Sequence, residues 1–232
     1  MQAGRSLQLP LHMKILNTQP SLVEQVHSAI LSEIASGKFP SGMHIVQEKI
    51  ARTLGVSRQP VQHALTLLRN QGVLHDAAGR GLFVAPLNLD HVRQMYELRA
   101  VIEGLAFRKA AENNAAQAKL EGPALVKAGK KASASGAKSA MIAADMAFHQ
   151  FIYSLSGNPL LSTAMETHFV YAQRVMGEVI QHDDKHRDIW DQHQEMLDCV
   201  AAGKAGTAER LAKKHILDAA DFMVERLRSE RK

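Results

Sequence analysis

Ile50-Ala51-Arg52-Thr53-Leu54-Gly55-Val56-Ser57-Arg58-Gln59-Pro60-Val61-Gln62-His63-Ala64-Leu65, continued by Gly79-Arg80-Gly81-Leu82-Phe83-Val84, is the stretch that decides how the amino-terminal part folds. A short helix from about Gln47 ends at Leu54, because Gly55 can take the left-handed conformation that closes a helix. Ser57 is a good N-cap for the next helix, and Pro60 falls in its first turn, where a missing N–H costs nothing. Val61, Ala64, Leu65 and Leu68 then face inward and leave Arg58, Gln59, Gln62 and His63 outward. Val73-Leu74 and Leu82-Phe83-Val84 read as two short strands around a Gly-rich tip. Helix, turn, helix and wing, in that order, make a winged helix-turn-helix, which offers a short helix end to the DNA major groove.

Outward from this block, Ser21-Leu22-Val23-Glu24 is a capping box. Leu22, Val23, Val26, Ile30 and Ile34 repeat at helical spacing to a stop at Gly37. Phe39-Pro40-Ser41-Gly42 is a turn. The expected DNA contacts are Ser57, Arg58, Gln59, Gln62 and His63 on the second helix, with Gly79 and Arg80 at the wing tip. Arg58 suits guanine, Gln59 or Gln62 suits adenine or a phosphate, and Arg80 can reach beside or into a groove. Charge agrees. Residues 1–86 carry 8 Lys+Arg against 4 Asp+Glu, while residues 87–232 carry 20 against 19. A basic unit on a near-neutral one suits a polyanion partner at one end.

The block resembles a known family. Gly-Val-Ser-Arg-x-Pro-Val-x-x-Ala-Leu, then Leu-x-x-x-Gly and Gly-Arg-Gly-x-Phe-Val, is similar to the winged helix of GntR-type bacterial transcription regulators over roughly residues 20–86. Gln62-His63 stand where that family usually carries Arg-Glu. The departure removes an arginine that contacts phosphate or base, so operator preference is expected to differ.

A chain of 232 residues with 46% apolar residues suits two domains with real cores. The expected division is a loose arm over 1–17, the winged helix over 18–86, and an effector-binding and dimerisation domain over 87–232. The single cysteine, Cys199, excludes an internal disulfide framework or a Cys-based zinc cluster. No apolar run reaches membrane-span length and the first 17 residues lack a signal-peptide core, so a cytoplasmic protein with no membrane partner is expected.

Beyond Asp90, an expected helix cap, no strand pattern is evident. Apolar positions Val92, Met95, Tyr96, Leu98, Val101, Ile102, Leu105 and Ala106 predict a helix to about Ala111. Residues 115–140, interrupted by Gly122-Pro123, Gly129 and Gly136, read as a short or frayed helix between loops. Helices follow over 139–155, from Asn158-Pro159 to about Ile180 with Pro at its first position, over 188–202 and over 207–228. The fold expected is therefore mostly α: a winged helix-turn-helix plus an all-α bundle of about six helices.

Asp145 and His149 lie four apart and share one helix face, and His193 and His215 fall in the following helical hairpin. One carboxylate and three imidazoles on three helices can hold a divalent metal with positions left open. Spacing alone leaves chance pairing open, since the chain has 12 histidines. Phe148-His149 after Asp145, and Ser156-Gly157-Asn158-Pro159-Leu160, resemble the FCD effector domain of FadR-like GntR regulators. His193 with Leu197 and Ala201-Ala202-Gly203, and Ala208 to His215, continue the resemblance, although Lys204 stands where that domain usually has Asp. The resemblance implies that Asp145, His149, His193 and His215 are metal ligands. Zinc is the first candidate, with nickel or manganese as alternatives. It also implies that Arg99 faces the cavity and pairs with a small organic acid effector. Arg174 is a second arginine candidate, either for effector or for a surface or dimer contact, and His168, His182 and His186 read as surface residues.

The function expected is a homodimeric regulator that reads a near-palindromic double-stranded operator and responds to a carboxylate bound at the metal. Two alternatives stay open on sequence grounds. One is a metal-dependent enzyme on the bundle, although no His-Glu-x-x-His, paired Glu-x-x-His or Pro-Cys-x-x-Cys pattern is present. The other is a DNA-binding dimer without metal or effector.

Overall fold

The computed structural model describes residues 20–77, 79–182 and 189–229. The expected arm over 1–17, His186 and the expected helix start at Asp188 lie outside these residues. So do the side chain of His182 and the tip residue Ala78.

The amino-terminal unit runs α1 (Leu22–Ala35), β1 (His44–Ile45), α2 (Gln47–Leu54), α3 (Arg58–Asn70), β2 (Leu74–Asp76) and β3 (Leu82–Val84). Ser21 caps α1 through the reciprocal box: the Glu24 amide donates to Ser21 Oγ at 3.2 Å and the Ser21 amide donates to Glu24 Oε2 at 2.6 Å. Gly55 closes α2 at φ 65°, as its position predicts. Ser57 does stand at the N-cap of α3 in extended conformation, but its hydroxyl makes no capping hydrogen bond. The wing has a third strand that alternation in the sequence did not reveal. Two-residue β1 pairs antiparallel with β3, giving the order β1-β3-β2. Gly42, at φ 79°, lets the chain turn so that its amide donates to the Val84 carbonyl while Val84 donates to Met43. Val26, Ile30, Ile34, Val61, Leu68 and Val84 form a core of their own.

The rest is helical: α4 (Leu89–Asn113), α5 (Ala115–Ser135), α6 (Lys138–Leu155), α7 (Pro159–His182), α8 (Trp190–Ala201) and α9 (Ala205–Ser229). Three expectations need correction. The cap of α4 is Asn88 rather than Asp90, its Oδ1 accepting from the amides of Asp90 and His91. Residues 115–135 form one continuous helix. Gly122 and Gly129 do not break it, because each is a site of close approach. A Cβ at Gly122 would lie 2.4 Å from Leu197 and one at Gly129 2.0 Å from the Trp190 ring. Together with Ala118, Val126 and Ala132 they make the buried stripe that seats α5 on α8. On α4, finally, Leu98, Val101 and Leu105 are exposed, while Arg99 and Glu103 are buried. The facing is set by the partners those charges find inside.

A second core gathers residues from all six helices, among them Phe107, Phe148, Trp190 and Leu197. The two units meet where α1 packs on α7. Gly177 sits so close to the backbone of Ala35 that a Cβ would fall 2.4 Å from its carbonyl oxygen. Beside it, buried Arg174 donates to the Ala85 carbonyl and, at 3.5 Å, to that of Val73. Arg174 is thus a junction residue within one chain rather than a surface or effector residue. His168 is half-buried.

Candidate functional site

The amino-terminal half of α3 presents Arg58, Gln59, Gln62 and His63 to solvent, behind Ser57, while Val61, Ala64, Leu65 and Leu68 are buried beneath. Gly79 and Arg80 are exposed at the wing, where the Arg80 amide donates to Ala77 and Gly79 and Gly81 both have positive φ. The guanidinium of Arg58 rests 3.0 Å from Glu48 on α2, and Arg52 approaches the same carboxylate at 3.6 Å. Glu48 and Arg52 were not singled out from sequence. The exposed i,i+4 pair Glu48–Arg52 was legible there, but its link to Arg58 needed the fold.

In the bundle, α6 supplies Asp145 and His149, α8 supplies His193 and α9 supplies His215, and all four are buried. His149 Nε2 lies 3.4 Å from His193 Nε2. Asp145 Oδ1 lies 3.4 Å from His193 Nε2 and 3.9 Å from His149 Nε2. Among the described residues, His149, His193 and His215 each bring a nitrogen within 4.8 Å of the others, an arrangement that could hold a metal ion. Donors at ~2.0–2.1 Å from a tetrahedral zinc stand roughly 3.3 Å apart, so the spacing of the His149, His193 and Asp145 atoms fits a cation at their centre.

The surroundings orient the rings. His149 Nδ1 lies 2.5 Å from Glu103 Oε2 and His215 Nδ1 lies 2.8 Å from Gln192 Oε1. An acceptor on Nδ1 takes that proton and leaves Nε2 as the donor atom, the usual outer support of a metal-binding imidazole. Phe148 and Trp190 hold the His193 ring at centroid distances of 4.5 and 4.6 Å. Glu103 and Gln192 were missed in the sequence. Glu103 had a signal, being four residues after Arg99 on the same face of a buried helix; Gln192 had none.

Electrostatics suit a cation. Burial and the neighbouring imidazoles of His215 and His149 push His193 well below its usual pKa, keeping its lone pair available. For Asp145, burial raises the pKa, and His149 and Arg99 offset this only in part. Burial would also raise Glu103, but Arg99 and His149 dominate and hold it at about 2. In His149 the pull of burial is downward and is outweighed by Glu103 and Asp145, so its pKa rises.

Asp145, His149 and His215 form one wall of a cavity of about 90 Å³. One water needs only ~10–15 Å³ by the same measure, so a compact organic molecule fits. Arg99 lines it, with Nε bonded to Glu103 at 2.7 Å and its guanidinium 4.9 Å from the centre of the Tyr96 ring. Burial lifts the Tyr96 hydroxyl to about 12, so it stays protonated. Met176, Val179, Ile216, Phe222 and Met223 make the rest largely apolar.

A winged helix joined to an all-α bundle with a histidine-lined cavity defines a class of two-domain DNA-binding proteins. Family comparison gives the particular one: residues 22–84 match the bacterial regulatory proteins of the gntR family and residues 94–218 match the FCD domain, so the chain belongs to the GntR regulators that carry an FCD domain. It is a transcriptional regulator, not an enzyme. A Paenarthrobacter nicotinovorans protein named for repression of a D-xylose utilization operon is 27% identical over 199 residues, 86% of this chain and 87% of the relative. The Nta operon transcriptional regulator of Aminobacter aminovorans is 36% identical over 74 residues, 32% of this chain and 35% of its own. In fold, a GntR regulator of Rhodococcus sp. RHA1 matches with TM-score 0.74 at 21% identity, over 88% of this chain and 97% of its own. Escherichia coli McbR/YncC matches at 0.77 and 19%, over 89% and 99%. Among the described residues no helix is long and apolar enough to cross a membrane.

Proposed function

We propose that this regulator works in the cytoplasm as a homodimer whose two winged helices, residues 18–86, read the halves of a near-palindromic operator. Ser57, Arg58, Gln59, Gln62 and His63 of α3, with Gly79 and Arg80 of the wing, meet the DNA. The bundle, residues 87–232, pairs the subunits and binds the effector. There Asp145, His149, His193 and His215 hold a divalent metal, zinc in first place and nickel or manganese as alternatives. When bound, the metal offers its open positions to a small carboxylate. Arg99 faces the same cavity and orients the acid, and the apolar walls exclude water from it. The observation that carries this reading is the convergence of His149, His193 and His215, from three helices, beside a cavity whose wall also holds Asp145 and a guanidinium.

The effector changes DNA affinity only as far as it binds two arrangements of the paired winged helices differently. The experiment is an anisotropy titration against an operator selected from random duplexes, at fixed salt, with metal content measured on the same samples. Arg58→Ala should weaken binding by about 1–3 kcal/mol and relax base preference, as expected for a bidentate contact. His149→Ala with His193→Ala should abolish bound metal while DNA binding persists. Unchanged operator affinity in the first variant, or unchanged metal content in the second, refutes the corresponding assignment.

A further inference from the structure

Which acid the cavity takes follows from its charge. This inference rests on the metal-and-acid reading above. Among the described residues, the charged side chains at the cavity and directly behind it are Arg99, Asp145 and Glu103. The ligating imidazoles are neutral once metal has replaced their protons, and Tyr96 keeps its hydroxyl proton. Glu103 is fully buried and touches both Arg99 Nε at 2.7 Å and His149 Nδ1 at 2.5 Å. It therefore neutralises the guanidinium from behind. A divalent ion with Asp145, Glu103 and Arg99 leaves the site a single net positive charge.

We infer that the cavity selects a monocarboxylate with a short apolar tail over a dicarboxylate, and that Glu103 is the residue that sets this preference. One carboxylate brings the loaded site to neutrality at the metal and Arg99. A second would lie against Met176, Val179, Ile216 and Phe222 with no further cation among the described lining residues, and an uncompensated buried charge is strongly disfavoured. Without metal the site loses two positive charges and the open positions that would hold the carboxylate, and neither acid is retained. Glu103 does not touch the acid. It acts through Arg99 and His149, and its removal would give the loaded site a second positive charge.

The test compares two acids of matched shape, 4-methylpentanoate and succinate, whose far ends are an isopropyl group and a carboxylate. Calorimetric titration of the zinc-loaded full chain should show 4-methylpentanoate binding at least tenfold tighter than succinate, with both lost after chelation. In Glu103→Gln the ratio should fall at least tenfold, whatever the change in absolute affinity, and zinc binding should weaken by the ~10–100-fold typical of a lost outer partner. Succinate binding as tightly as 4-methylpentanoate to the zinc-loaded wild type overturns the inference and leaves the metal-and-acid reading standing. Equal affinities with and without zinc, or an unchanged ratio in folded Glu103→Gln, also overturn it. Absence of binding by either acid to zinc-loaded protein overturns both. The wild-type comparison decides even if the variant does not fold.

Discussion

The carboxylate of Glu103 is enclosed by protein and stays ionised because Arg99 and His149 both reach it. Its folded pKa of about 2 lies below the ordinary 4.5, so the unfolded chain takes up this proton first as pH falls. The stabilisation is complete above about 4.5 and fades toward 2. In chelator-stripped protein, Glu103→Gln should cost about 3–5 kcal/mol at neutral pH, since it leaves a buried guanidinium without its counter-charge. Urea unfolding should show the gap to wild type narrowing as pH falls through that window; a gap independent of pH would count against the assignment. The sequence and its family resemblance pointed to Asp145, His149, His193, His215 and Arg99; the fold brings Asp145, His149, His215 and Arg99 to one cavity and sets His193 3.4 Å from His149 beside it. The sequence could not reveal that Arg99 already has an internal partner. Spacing places Glu103 on the right face, but only packing shows that His149 lies across from it.

At the scale of the element, α7 has two occupied faces. Met176, Val179 and Ile180 border the cavity, whereas Val170, Arg174 and Gly177 meet the winged helix. A ligand that shifts the first face moves the second, because a close-packed helix passes displacement on rather than absorbing it. Arg174→Met should leave the Val73 and Ala85 carbonyls without this donor, at about 1–3 kcal/mol in denaturant unfolding. Acid-dependent change in operator affinity should shrink in the same variant while zinc binding stays as in wild type. An unaltered acid response would remove α7 from the coupling route. Elements with strong caps or periodicity were legible, among them α1 from its capping box and α3 from its inward Val61, Leu65 and Leu68. Strand β1 was too short to show alternation. Helix α5 was hidden because glycine reads as a breaker, when here Gly122 and Gly129 make room for Leu197 and Trp190. The facing of α4 was misread at Leu98, Val101 and Leu105, because apolarity says nothing about a charge that finds its partner inside.

Across the whole molecule, the proposed metal ties α6, α8 and α9 together at donors as far apart in sequence as Asp145 and His215, with Glu103 bringing in α4. A ligand that binds only the folded state, present at about a thousand times its Kd, stabilises it by about 4 kcal/mol. For a bundle of this size that corresponds to a rise of roughly 10 °C in Tm, at about 2–4 °C per kcal/mol. Calorimetry of the zinc-loaded and chelated chain should show it, and coincident traces would argue against a metal in this site. Because the winged helix has its own core, the shift should fall mainly on the bundle's transition.

Beside the side-chain packing of Val170, two contacts at the junction between the units are made to main chain. Arg174 grips two carbonyl oxygens, and Gly177 abuts the backbone of Ala35. Neither contact depends on which side chains the winged helix carries at those positions. The reading surface is therefore free to change its target without disturbing the seat it rests on. A chimera that keeps this bundle and accepts residues 18–86 from another member of the family should dock in the same way, so that one sensor can serve many operators.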